Sequence, residues 1–65
     1  MKEYKEEIEN LMYTHYLSLS EKDKRHYAAV EAAKLGYGGI NYIAELFGCN
    51  RDTITAGLEE LKKTM

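Results

Sequence analysis

Ile40-Asn41-Tyr42-Ile43-Ala44-Glu45-Leu46-Phe47-Gly48-Cys49-Asn50-Arg51-Asp52-Thr53-Ile54-Thr55-Ala56-Gly57-Leu58-Glu59-Glu60-Leu61 is the stretch that decides the fold. It reads as two short helices joined by a tight turn. Gly48 can take the left-handed conformation that ends the first helix. Asn50 is a good N-cap for the second. Ala44, four residues before the glycine, is small enough for the first helix to approach the second closely. Ile54 and Leu58 then point an apolar stripe back at Ile43, Leu46 and Phe47. Small and apolar residues at these positions are what a DNA-reading helix-turn-helix needs. The glycine turn and the asparagine cap together are more specific than amphipathicity alone.

Upstream, Gly36-Tyr37-Gly38-Gly39 makes a tight connection into the third helix, residues 40–47. The second helix begins at Ser20, with Asp23 at the third position as a capping-box analogue of the usual Glu. It runs to Leu35 and stops at Gly36. Ala28, Ala29, Ala32 and Ala33 favour helix and permit close approach by a neighbour. Tyr27, Val30 and Ala33 make a narrow core stripe. Residues 3–17 form the first helix. Tyr4, Ile8, Leu11 and His15 share its stripe, with Met12 and Tyr16 beside it. The fourth helix runs from Arg51 to about Lys63, where Lys62 and Lys63 complement the helix dipole. The absence of proline and of Val/Ile/Thr alternation points to an all-helical chain. The expected fold is therefore all-α: one domain over 1–65, a bundle of about four helices. The N-terminal helix lies within 1–18, and a tri-helical helix-turn-helix core spans 20–63.

At 65 residues the chain is near the lower limit of what folds alone. A domain of this size buries only about 60% of its unfolded surface, so the core should be thin. Apolar content of 45% and charged content of 31% suit a globular domain and exclude a disordered one. No apolar run approaches the roughly 20 residues of a membrane span, and the charged start from Lys2 to Glu9 is no signal peptide. The single cysteine, Cys49, excludes an internal disulfide and suits a cytoplasmic protein. Net charge is −2. Residues 1–10 account for all of it, with Lys2 and Lys5 against Glu3, Glu6, Glu7 and Glu9, and residues 11–65 balance. DNA-binding domains are usually basic, because phosphate neutralisation supplies most non-specific affinity. Any DNA affinity of this chain alone should therefore be weak and salt-sensitive. The end at Thr64-Met65, just past the fourth helix, leads us to expect an excised or truncated piece.

With Ile54 and Leu58 facing inward, Arg51, Asp52, Thr55 and Glu59 face out along one stripe of the fourth helix, with Ala56 beside them. In helix-turn-helix docking, the N-terminal residues of the second helix reach base edges in the major groove. Arg51 can meet guanine O6 and N7 or a phosphate, and Thr55 a thymine methyl or a phosphate. Asp52 and Glu59 are repelled by phosphate unless one accepts from a cytosine amino group. Asn50 and Thr53 flank these positions. Gly38 and Gly39 precede the third helix, where backbone N–H groups can bind a phosphate oxygen, with Asn41 and Tyr42 as added donors. The bland alternatives are a solvated helix face and a simple turn. Lys22, Lys24, Arg25 and His26 form the concentrated basic patch and are possible phosphate contacts, although Glu21 and Asp23 interrupt it. The tyrosines suit core or rim packing better than base stacking. His15 and His26 have no Cys or His partner at metal spacing, so no metal site is expected. No cofactor or small-molecule ligand is expected either. Cys49 sits where such motifs place a buried apolar residue, and reads as a buried structural thiol. No nucleophile–base set or carboxylate dyad stands out, so the chain is not read as an enzyme.

Leu19-Ser20-Glu21-Lys22-Asp23-Lys24-Arg25, Ala28 to Ala32 and Leu35-Gly36-Tyr37-Gly38-Gly39-Ile40 resemble the N-terminal region of the ISAzo-type insertion-sequence transposases. The likeness continues through Ala44, Gly48, Asn50-Arg51, Thr53-Ile54 and Gly57-Leu58-Glu59-Glu60-Leu61. It covers about residues 19–61, and residues 1–18 match only as a helix-like lead-in. It implies a domain that binds the element's terminal repeats, ahead of an RNase H-like catalytic domain with a metal-binding acidic triad. That catalytic domain is absent from these 65 residues. Where such transposases tend to carry a basic pair after Thr-Ile, this chain has Thr55-Ala56, so two phosphate or base contacts are missing. The expected partner is double-stranded DNA, with a homo-oligomer possible and no membrane. The alternative is a protein-interaction or dimerisation module that keeps the helix-turn-helix shape. Its support is the acidic balance, the Thr55-Ala56 departure and the apolar stripe of the first helix.

Overall fold

Side-chain caps at Ser20 and Asn50 set two helix starts in this chain, and glycines at Gly36 and Gly48 set two helix ends. The computed structural model describes residues 3–64 and contains four helices: α1 (Glu6–Leu17), α2 (Glu21–Leu35), α3 (Gly39–Phe47) and α4 (Arg51–Lys63). Every regular element among the described residues is helical. Met1, Lys2 and Met65, which the expected domain bounds take in, lie outside the described residues. The Asp23 N–H donates to Ser20 Oγ at 3.2 Å, and the Asp52 N–H to Asn50 Oδ1 at 3.1 Å. Each bond satisfies a donor that a helix start leaves without an intrahelical partner. Gly48 lies at φ 67°, ψ 33°, and the N–H groups of Gly48 and Cys49 both donate to the Ala44 carbonyl. A residue with a Cβ pays a steric cost in that conformation. The turn therefore needs only Gly48, Cys49 and Asn50 to send the chain from α3 into α4.

α2 is the central element. It packs against each of the other helices, while α1 rests on α2 and α3 and does not reach α4. The buried apolar residues are Met12, Ala28, Ala29, Ala32, Ile43, Ala44, Phe47 and Ile54, with Ile43 and Ile54 wholly enclosed. Because the fully buried apolar residues of α2 are all alanine, its neighbours come very close. A Cβ on Gly57 would lie 2.5 Å from the Arg25 carbonyl oxygen and 3.1 Å from Ala29 Cβ. Ala44 is buried between its neighbours as its size suggests. The tightest approach of α4, however, is at Gly57 against α2.

Two stripes differ from the sequence reading. α1 starts at Glu6 rather than residue 3, behind Lys5, which provides no side-chain cap. Its inward side is Met12, with Tyr16 half-buried; Ile8 and Leu11 are exposed, Leu11 at 65%. α1 meets the core with sulfur and aromatic rings. Phe47 is sandwiched between Tyr16 (ring centroids 4.3 Å apart, 12° between planes) and Tyr27 (5.6 Å, 25°). His15 is exposed and sets an edge against Tyr27 at 5.1 Å. In α2, Val30 is 45% exposed and Ala33 is exposed, while Ala28, Ala29, Ala32 and Glu31 are buried. Hydropathy favours the valine, but the packing of α3 and α4 against this helix demands the small residues. Glu31 keeps a partner in Lys34, whose Nζ lies 3.3 Å away.

Candidate nucleic-acid interface

The burial of Ile54 and Gly57 and the packing of Leu58 fix the rotation of α4. Arg51, Asp52, Thr55, Ala56 and Glu59 are consequently exposed, as the spacing predicts, and Thr53 is half-buried. Arg51 Nη1 donates to Asn41 Oδ1 at 2.9 Å, tying the first turn of α4 to the first turn of α3. This uses one of the five donors of the guanidinium fork. A groove of about 470 Å³ runs between the two helix starts, lined by the Gly36–Gly38 segment, Ile40, Asn41, Arg51, Asp52 and Thr55. Asn41 of α3 and Arg51 and Thr55 of α4 thus share one concave surface.

Other expected site residues are engaged elsewhere. Asn50 is exposed, but its side-chain oxygen caps α4. Tyr42 turns toward α1, where its hydroxyl donates to the Glu9 carboxylate and accepts the Tyr4 N–H at 3.2 Å. Burial first, then the bond to Glu9, raises the Tyr42 phenol above its ordinary pKa. Gly39 is buried inside the first turn of α3 against Ala32 and Leu35, and its N–H donates to the Gly36 carbonyl at 2.9 Å. Both therefore leave the set of phosphate donors. The groups that occupy them come from distant parts of the chain in one case and from the turn itself in the other.

The basic patch is likewise divided. Arg25 donates to both carboxylate oxygens of Glu60, with Nη2 to Oε1 at 3.0 Å and Nε to Oε2 at 3.1 Å. His26 Nε2 lies 2.8 Å from Glu60 Oε1. Hydrogen bonds from Arg25 and then His26 hold the Glu60 carboxyl below its ordinary pKa. Arg25 is thus a strut between α2 and α4 and not a spare phosphate contact. Lys24 sits 5.4 Å from the Tyr16 ring centre and 4.0 Å from Glu21, and Lys22 is exposed. Cys49 is half-buried rather than buried. Burial pushes its thiol pKa up, away from thiolate reactivity.

The sequence reading missed two residues. Glu60 carries no local signal for its role, because its partners lie on another helix. Tyr37 had one: it stands between glycines in a short connection, where a side chain has nothing to pack on. Among the described residues no group of three or more His, Cys, Asp or Glu side chains comes together in a form that could hold a metal. No described helix is long and apolar enough to cross a membrane. Comparison with protein-family models, with curated proteins and with solved structures gives no match.

Proposed function

We propose that this chain is a DNA-binding helix-turn-helix module with α4 as its reading helix. In the fuller form of the proposal it is the terminal-repeat-binding N-terminal domain of an ISAzo-type transposase, with no catalysis of its own. The observation that carries the DNA-binding reading is the joined start of α3 and α4. There Arg51, held by Asn41, opens an outward face that continues one turn later at Thr55. Arg51 pairs with guanine or phosphate, Thr55 meets a thymine methyl or phosphate, and Asn41 meets the backbone. Asp52 and Glu59 border this set and reject phosphate, which narrows the docking angles. With Arg25 and His26 committed to Glu60, electrostatic attraction falls mainly to Arg51, Lys22 and Lys24. Affinity is accordingly low and falls as salt rises, with the modest slope of a few phosphate contacts. Titrating duplex DNA into the isotope-labelled chain should shift the amide signals of residues 40–41 and 50–56 first. Shifts confined to α1 would contradict the proposal.

A second reading, a protein-interaction or dimerisation module, is favoured by one observation. Ile8, Leu11 and Leu17 on α1 are exposed, a cost in water that a partner helix would remove.

A further inference from the structure

We infer that Tyr37 is a further anchoring residue of this face, its hydroxyl donating to a phosphate oxygen of duplex DNA beside the Arg51–Asn41 groove. The inference rests on the DNA-binding reading above. Among the described residues, Tyr4, Tyr13, Tyr16, Tyr27 and Tyr42 each lie against another aromatic ring, whereas Tyr37 is 107% exposed and lies against none. A ring left wholly in water gains nothing from burial, so core stability does not account for it.

The backbone holds this tyrosine at a fixed corner. Gly39 N–H donates to the Gly36 carbonyl at 2.9 Å, and Gly38 has φ 82°, ψ −7°. Among the described residues, none other than glycine has positive φ. These angles make a type II turn with Tyr37 at its first corner and the obligatory glycine at its second. The far side of the turn is clamped, because Gly39 is packed against Ala32 within α3. Tyr37 also lines the groove that contains Asn41, Arg51 and Thr55. A rigid aromatic stem with few rotatable bonds loses little entropy when its tip is immobilised. The bases of a duplex are already stacked on one another, so the hydroxyl and not the ring face is the contact. Tyrosine is among the side chains that bond DNA phosphates.

The test measures duplex binding by Tyr37→Phe, Tyr37→Ala and Arg51→Ala beside the unaltered chain, at two salt concentrations. Removing the hydroxyl in Tyr37→Phe should weaken binding about five- to tenfold, the upper part of the net range of a single hydrogen bond. The loss should be equal on the cognate and a scrambled duplex, because a phosphate contact carries no sequence information. The salt slope should not change, because the lost donor is uncharged. Tyr37→Ala should match Tyr37→Phe, and both should melt at the unaltered temperature. Wild-type affinity in Tyr37→Phe would overturn the inference, whatever Tyr37→Ala does. A lowered melting temperature would overturn it too, by revealing a packing role. If Arg51→Ala weakens binding and the Tyr37 variants do not, the inference fails and the DNA-binding reading survives. If the unaltered chain binds no duplex, both fall.

Discussion

At Gly57 a methyl group would sit 2.5 Å from the Arg25 carbonyl oxygen, so α4 would have to lift off α2 to admit it. The obstacle is backbone, which cannot rotate away as a side-chain tip can. Gly57→Ala should therefore lose about 1–3 kcal/mol, the range of overpacked cores, even though alanine is the better helix former. A thermal melt checks this, and an unchanged or raised Tm would show that the helices yield more easily than their contact implies. Arg51 is the opposite kind of residue, exposed and bonded only to Asn41. Arg51→Ala should leave the melt unchanged and cost roughly 1–3 kcal/mol of affinity on the cognate duplex if the guanidinium reads a guanine. Unchanged affinity would remove Arg51 from the contacts. Both effects come from position and not residue type. Glycine in mid-helix usually signals weakness, but here it marks a close approach of α4 to the α2 backbone.

Between elements, Glu60 couples α4 to α2 through Arg25 and His26, and this coupling depends on pH. In the folded chain the Glu60 carboxyl ionises below its usual value of 4.5, so the folded state binds the proton less tightly than the unfolded one. Its contribution to stability is therefore present above that usual value and is lost as the pH falls through the lower, folded one. Glu60→Gln should lower Tm at neutral pH, and the gap from the unaltered chain should close in acid. A gap of constant size from neutral to acid pH would show that Glu60 acts through packing alone. The elements differ in how much of them the sequence exposes. Ser20, Gly36, Gly48 and Asn50 act within a few residues of themselves, and the bounds of α2 and α4 follow from them directly. The start of α1 has no such cap, and helical periodicity alone runs three residues past it, to residue 3. Which face of α1 and α2 is buried depends on neighbours that come from elsewhere in the chain. Periodicity therefore chose Leu11 and Val30, where packing uses Met12 and alanine. The Glu60 clamp and the capture of Tyr42 by Glu9 are both long-range pairings, beyond the reach of local pattern.

For the whole molecule, few large side chains sustain the core, so the fold depends on the alanine face of α2 and on the Tyr16–Phe47–Tyr27 stack. Outside that core, the exposed apolar residues of α1 and the polar face of α4 belong to different surfaces, since α1 does not reach α4. One chain can consequently carry a self-association surface and a DNA surface without conflict. Sedimentation at high concentration tests the first: an associated species that dissociates in Leu11→Lys would support dimerisation, and a strict monomer would remove it. The charge balance sets the second. At net −2, with two of the basic residues committed to Glu60, long-range attraction to DNA is small, and the proposed recognition rests on a few short contacts. Fluorescence anisotropy with a terminal repeat of an ISAzo-type element and a scrambled duplex, each at two salt concentrations, tests this most directly. The account predicts tighter binding to the terminal repeat and an affinity that falls as salt rises; equal, negligible binding to both duplexes at low salt would contradict it.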